Sequence, residues 1–293
     1  MALRLSREDG AVALSDWELK PLMKPKRDEL IGLFGVRSVI MGILNVTPDS
    51  FSDGGRFEAR DAALAQAKKL AADGADVIDV GAESTRPGFT PVAEDVELAR
   101  LKPILPALIE AVEKPISIDT SKAAVARYAI SLGAAVVNDV WGLQKDPAMA
   151  DTVAEGEAAV VIMHNRDGVD PNLDIIADMR RFFDHSLMLA DKAGIPRPLI
   201  MLDPGIGFGK TKDQNLFVLR RLGQFLDYRL PLLIGISRKS LLGAMVGAEV
   251  ESRLVATVAA NLAAAAQGAS IFRVHDVAEH VAAFKVFDAI QRA

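Results

Sequence analysis

From Val39 to the end of the chain, short apolar runs rich in Val and Ile alternate with longer segments of helical period. The runs are Val39–Leu44, Ala75–Gly81, Ile116–Asp119, Ala135–Asn138, Ala158–Met163, Leu199–Leu202, Leu232–Ile236 and Ser270–Val274. Between them the spacing predicts helices over Glu58–Asp73, Glu94–Val112, Lys122–Leu132, Ala148–Glu155, Leu173–Ala193, Asn215–Leu226, Ser252–Gln267 and Ala278–Ile290. A strand covered on both faces has no need to alternate apolar with polar residues, and parallel strands under helices read this way. Roughly eight β-then-α units is the count of a (β/α)8, or TIM, barrel in the α/β class. A doubly wound open sheet is the alternative, but it normally carries a Gly-rich fingerprint after its first strand. Here that position holds NVTPDS.

The local punctuation agrees with the alternation. Gly74, Gly133, Gly194 and Gly268 follow predicted helices, where a residue able to take φ > 0 ends the last turn. Pro103 and Pro106 should kink or split the helix they fall in. Thr120 or Ser121 is placed to cap the helix after Asp119. Residues 1–37 lack this periodicity and carry the patch Lys24-Pro25-Lys26-Arg27-Asp28-Glu29. They read as an N-terminal extension packed on the barrel of residues 38–293, with a short hairpin as the expected form.

A chain of 293 residues, 50% hydrophobic and 25% charged, can bury a large core. No repeat, low-complexity tract or linker marks a second domain. A net charge of -5 argues against nucleic acid or an anionic membrane as main partner, while a few clustered cations can still dominate one pocket. Without Cys there is no disulfide, thiolate nucleophile or Cys-bound metal. The first ten residues carry charges where a signal peptide is apolar, and no apolar run is long enough to cross a bilayer. The expected location is cytoplasmic.

Function is carried by the residues that close the runs. Asn45, Thr85-Arg86, Asp119, Asn138, His164, Asp203, Ser237 with Lys239, and Arg273 with His275 stand at or just past their C-terminal ends. A barrel gathers those ends on one rim, where its active sites form. Taken singly, Asp119 could cap a helix, Asn138 could be a turn residue and His164 a hydrogen-bonded core histidine. Polar groups on nearly every strand end point instead to a shared site. Asp119 and Asp203 can accept N–H groups from an amidine-like ring edge, and Asn138 can donate and accept. Arg86, Arg238, Lys239, Arg273 and His275 suit phosphate or carboxylate. A flat nitrogen heterocycle with an anionic group meets both requirements.

Other motifs are eliminated or reassigned. Gly205–Thr211 has Pro204 where a P-loop needs its first Gly, so it reads as a close-approach turn with Phe208 free to stack. His275 and His280 are not spaced as helical zinc ligands, and no Ser-His-Asp nucleophile stands out. Thr47–Gly55, with Pro48 and the Gly54-Gly55 pair, can continue neither strand nor helix.

The stretches MGILNVTPDSFSDGG, DVIDVGAESTRPG, ISIDTSK, VVNDVWG, LDPGIGFGK, LIGISRKS and RVHDV, in this order, resemble the dihydropteroate synthases over residues 38–290. That resemblance implies a pterin-binding TIM barrel that joins 6-hydroxymethyl-7,8-dihydropterin pyrophosphate to p-aminobenzoate. By similarity, Asp119, Asn138, Asp203 and Lys239 hold the pterin, with Met163 and Phe208 lining its pocket. Asn45, Arg273 and His275 match the pyrophosphate positions, Asn45 also through Mg2+. Thr85, Arg86, Ser237 and Phe208 match those around p-aminobenzoate, the group that sulfonamides imitate. The loops Thr47–Gly55 and Thr85–Pro91 are expected to order over the substrates, with Phe51 and Asp53 closing the site.

MHNRDG at Met163–Gly168 departs from the MHMQG-like form common among bacterial members, and His164 receives no catalytic role. A dissociative substitution suits this set of residues. A pterin-dependent methyltransferase and a non-catalytic pterin-binding paralogue are the competing readings. The methyltransferase has no need of the Ser/Asp-rich first loop or of the Arg273/His275 pair, and the paralogue would show the pocket without the loops, whereas all of these stand in the sequence. The resemblance implies a homodimer, and the Ala-rich helix Ser252–Gln267 offers a surface for it.

Overall fold

The computed structural model describes residues 20–46, 56–83, 92–247 and 249–293. Eight strands form one parallel sheet: β1 (Val39–Asn45), β2 (Val77–Gly81), β3 (Ile116–Asp119), β4 (Val136–Asp139), β5 (Ala159–Met163), β6 (Ile200–Asp203), β7 (Leu233–Ile234) and β8 (Ile271–Val274). Their order is β6-β5-β4-β3-β2-β1-β8-β7. A parallel bridge between Leu202 and Leu232, beside the bond from Leu202 N to Pro231 O at 2.9 Å, joins the two outermost strands. The sheet thereby closes into the expected (β/α)8 barrel. Nearly every strand residue is buried, as the continuous Val/Ile runs require.

Helices α2 (Arg56–Ala72), α3 (Glu94–Leu101), α4 (Leu105–Ala111), α5 (Ala123–Leu132), α6 (Met149–Glu155), α7 (Ile175–Ala193), α8 (Lys212–Arg220), α9 (Ser240–Val246), α10 (Leu254–Ala266) and α11 (Val277–Gln291) surround it. The break between α3 and α4 falls at Pro103, where a helix lacks an N–H and clashes with the preceding turn. Gly133 and Gly194 end α5 and α7 at φ of 116° and 84°.

Three local expectations are corrected. The first turn of α5 is not capped by Thr120 or Ser121; Asp146 supplies the acceptor, 2.7 Å from Ala123 N. Helix α8 begins earlier than its apolar spacing suggests, because Thr211 and Gln214 form a reciprocal capping box. Within residues 20–37 the expected hairpin is replaced by a helix, α1 (Lys20–Gly32), despite Pro25 inside it. Leu30 is buried in the core, Lys26 Nζ donates to Val112 O at 3.0 Å, and Arg27 Nη1 donates to Glu157 O. Val112 and Glu157 precede β3 and β5, so α1 lies against the end of the barrel opposite the C-terminal mouth.

Candidate active site

The ladder brings together side chains far apart in sequence. Asn45 pairs with Gly81, Gly81 with Asp119, and Asp119 with Asn138. In a parallel sheet, residues paired this way project from the same face, here the interior. Asp79 precedes Gly81 by two residues and shares that face. A Cβ on Gly81 would lie 3.5 Å from Asp119 Cβ and 3.8 Å from Asn45 Oδ1. Glycine here keeps open a space walled by those two side chains.

Arg273 enters this layer from β8. Its Nε donates to Asp79 Oδ2 at 2.6 Å and its Nη2 to Asp119 Oδ2 at 2.7 Å. Asn138 Nδ2 also donates to Asp79 Oδ2, at 3.1 Å. Among the described residues, three buried carboxylate and amide oxygens of this layer have no partner: Asp79 Oδ1, Asp119 Oδ1 and Asn138 Oδ1. Buried acceptors are normally satisfied, and leaving one empty costs on the order of 1–3 kcal/mol. Two carboxylates share one guanidinium: burial pushes Asp119 up to about 7, against the pull of Arg273 and with a further push from Asp79. Despite its own burial, Arg273 is raised above its ordinary value by Asp79 and Asp119, so it stays charged.

The opposite wall is built by Asp203 and the turn that follows it. Asp203 Oδ1 accepts from Gly205 N at 2.7 Å, and burial raises this carboxyl too. Gly235 leaves room beside it: a Cβ there would be 3.8 Å from Asp203 Oδ2 and 4.0 Å from Arg273 Cδ. Lys239 donates to Ile206 O and holds its ammonium 4.4 Å from the centre of the Phe208 ring. Burial lowers this lysine to about 8, with Asp203 opposing the shift. Met163 pairs with Asp203 and so projects from the same face. Ser237 Oγ lies 3.0 Å from His275 Nδ1 and accepts from His275 N at 3.2 Å.

The barrel therefore brings Asn45, Asp119, Asn138, Met163, Asp203, Phe208, Ser237, Lys239, Arg273 and His275 to its C-terminal mouth. Phe51, Asp53, Thr85 and Arg86, with the loops Thr47–Gly55 and Thr85–Pro91, lie outside the described residues. Arg238 pairs with Asp276 through Nε at 3.0 Å and through Nη2. His164 is buried and bonded to Lys210 and Asp178, the core histidine that its isolated position suggests. The residue missed from sequence is Asp79, hidden inside the apolar run DVIDVG. Its phase was the available signal, since it shares a face with Gly81.

Among the described residues no three His, Asp or Glu side chains gather to hold a metal. An open hollow of about 1110 Å³ lies outside the mouth, lined in part by Trp141, Lys145, Arg166, Asp178 and His185. It contains none of the three orphaned acceptors.

Known proteins share both sequence and architecture with this chain. A family pattern described as "Pterin binding enzyme" matches residues 41–275. The dihydropteroate synthase of Clostridium beijerinckii is 45% identical over 262 residues, covering 88% of this chain and 96% of that protein. That of Bacillus subtilis is 42% identical over 254 residues, 87% and 89% of the two chains. The crystal structure of the Clostridium difficile dihydropteroate synthase, in the presence of pteroic acid, superposes with a TM-score of 0.86 at 48% identity, covering 88% and 98%. The Xanthomonas albilineans enzyme with 4-aminobenzoic acid superposes with a TM-score of 0.84 at 42% identity, covering 88% and 94%. With barrel, mouth and relatives in agreement, this chain belongs to the dihydropteroate synthase family of pterin-binding enzymes.

Proposed function

We propose that the chain is a transferase of an alkyl group other than methyl. It condenses 6-hydroxymethyl-7,8-dihydropterin pyrophosphate with p-aminobenzoate, releasing 7,8-dihydropteroate and pyrophosphate in folate biosynthesis. The observation that carries this reading is the trio of buried acceptors, Asp79 Oδ1, Asp119 Oδ1 and Asn138 Oδ1. A pterin presents an amino group and ring N–H groups along one edge, which is the complement they call for. The related structures with pteroic acid and 4-aminobenzoic acid support the same substrate pair.

Asp119, Asn138 and Asp203 hold the donor edge, with Asp79 Oδ1 beside them, and Lys239 holds the ring carbonyl, with Met163 and Phe208 against the ring. Asn45, Arg273 and His275 take the diphosphate. Ser237 and Phe208, with Thr85 and Arg86, take p-aminobenzoate, and sulfonamides compete there. The bond between the pterin methylene carbon and the diphosphate oxygen breaks first, its electron pair leaving with the diphosphate. Arg273 and His275 balance that charge. The ring spreads the positive charge left on the methylene carbon, and the aniline nitrogen attacks it. The N–H proton then passes to solvent without a strong base, since the anilinium formed is very acidic.

Mg2+ fits this donor set as an ion carried by the substrate, because it keeps several waters and binds phosphate oxygens with few protein ligands. Asn45 would be its protein ligand, and the ion would supply charge for the departing diphosphate. A homodimer is proposed over α8, α9 and α10, where Phe217, Met245, Val246 and Val255 are exposed large apolar residues. Gel filtration at twice the 31.4 kDa chain mass would support it, and elution at the single-chain mass would reject it. No helix among the described residues is long and apolar enough to cross a membrane, and a cytoplasmic location is proposed. The deciding assay mixes the purified chain with both substrates and Mg2+: pyrophosphate and dihydropteroate should appear together. Their absence from a folded preparation would reject the function.

A further inference from the structure

Lys210 closes the turn that begins at Asp203, and its side chain points away from the mouth into the protein, 7% exposed. Its ammonium donates to Gly205 O at 2.9 Å, to Phe208 O at 3.0 Å and to His164 Nδ1 at 2.8 Å. All three of its N–H groups are thus taken by neutral acceptors. Burial keeps His164 uncharged, well below the usual histidine range. With Nδ1 accepting from the lysine, the proton sits on Nε2, which donates to Asp178 Oδ2 at 3.2 Å. Asp178 in turn pairs with Arg166 at 3.5 Å and Arg181 at 3.1 Å.

The turn needs such a fastening. Gly205, Gly207 and Gly209 take φ of 63°, 86° and 56°, a backbone that holds its shape poorly by itself. It packs so closely on β5 that a Cβ on Gly205 would fall 2.0 Å from His164 O. Two carbonyls turned inward toward one cation fix the direction of the peptides between them. Those peptides present Ile206 O to Lys239 and set the Phe208 ring below that lysine.

We propose that Lys210, oriented by His164, is a positioning residue that gives the Gly205–Gly209 turn the shape in which Phe208 and Lys239 receive the pterin ring. The inference rests on the functional reading above. Burial pushes Lys210 down to about 7, so an ammonium is costly to keep here, and the three bonds it makes offset that cost.

The test is steady-state kinetics of the full chain with pterin pyrophosphate, p-aminobenzoate and Mg2+. Lys210→Met keeps the length of the side chain and removes all three donors. The KM for the pterin substrate should rise at least about tenfold, with kcat held within about threefold and the KM for p-aminobenzoate, which meets the same Phe208 ring, rising by clearly less. Lys210→Gln, which can donate to two of the acceptors, should fall between. An unchanged pterin KM, or an equal rise in both KM values, overturns the proposal. If Lys210→Met does not fold, His164 carries the test. His164→Asn keeps an acceptor near the Nδ1 position and should stay near wild type, whereas His164→Leu should raise the pterin KM. Equal pterin KM values for those two variants would also overturn it. A wild-type chain that makes no dihydropteroate fails the functional reading instead.

Discussion

Arg273 Nε meets Asp79 Oδ2 at 2.6 Å, although 194 residues separate them. The contact ties the eighth strand to the second across the first, and Asp79 holds Asn138 with the same oxygen. One fully buried carboxylate thus orients both a cation and an amide of the mouth.

Asp79→Ala should therefore damage stability and binding together. It leaves Asn138 Nδ2 without its acceptor and Arg273 with Asp119 alone. Removing one member of a buried ion pair costs roughly 3–5 kcal/mol, and the surviving Asp119 contact places this variant near the lower figure. Urea melts of the ligand-free chain measure that loss. Asp79→Asn retains an acceptor and should lose less. Equal stability of wild type and Asp79→Ala would show that Arg273 does not depend on this contact.

The pH dependence of pterin binding should have two limbs. Burial raises Asp119 to about 7; if it receives the ring N–H groups, it does so best when ionised, and affinity should rise with pH up to that value. Lys239 is lowered to about 8 and donates with its full charge only below it, so affinity should fall above. Calorimetric titration from acid to alkaline pH checks both, and Asp119→Asn should remove the acid limb alone. Stability of the empty chain follows the opposite sign for Asp119. The folded state holds a proton that the unfolded chain releases near 3.8, so stability falls as pH rises from there to about 7.

Gly81 should tolerate one carbon and no more. A Cβ at that position meets Asp119 and Asn45 at ordinary contact distances, so Gly81→Ala should fold and bind. Gly81→Val projects into the space assigned to the ring and should abolish pterin binding while far-UV circular dichroism stays unchanged. Pterin bound normally by the Val variant would place the ring elsewhere.

Phe51→Ala and Asp53→Ala should separate binding from turnover. If these residues close the site around both substrates, calorimetric affinity for the pterin should survive while kcat falls by about tenfold or more. Loss of pterin affinity in either variant would move that residue into the ring pocket itself.

Much of the fold was legible because a parallel barrel writes itself as repeated apolar runs, and most of the mouth because its side chains end those runs. Asp79 was not, since a search confined to run ends passes over a carboxylate two residues inside one. Helix α9 was masked by Gly243, buried within it. Helix α1 contains Pro25, which argues against a helix locally, and is held by contacts to Val112 and Glu157 that no local pattern announces. The bond of Lys210 to His164 joins residues 46 apart, a product of packing rather than of spacing.

The single bridge between Leu202 and Leu232 has a consequence for how the molecule breathes. β7 spans only two residues, so this seam is the least stitched joint of the barrel, and amide exchange should report it as the first to unzip. Asp203 stands on one side of it, Ser237 and Lys239 on the other. A ligand gripped by both sides would act as a rivet, tightening the cylinder at its weakest circumference each time the site fills.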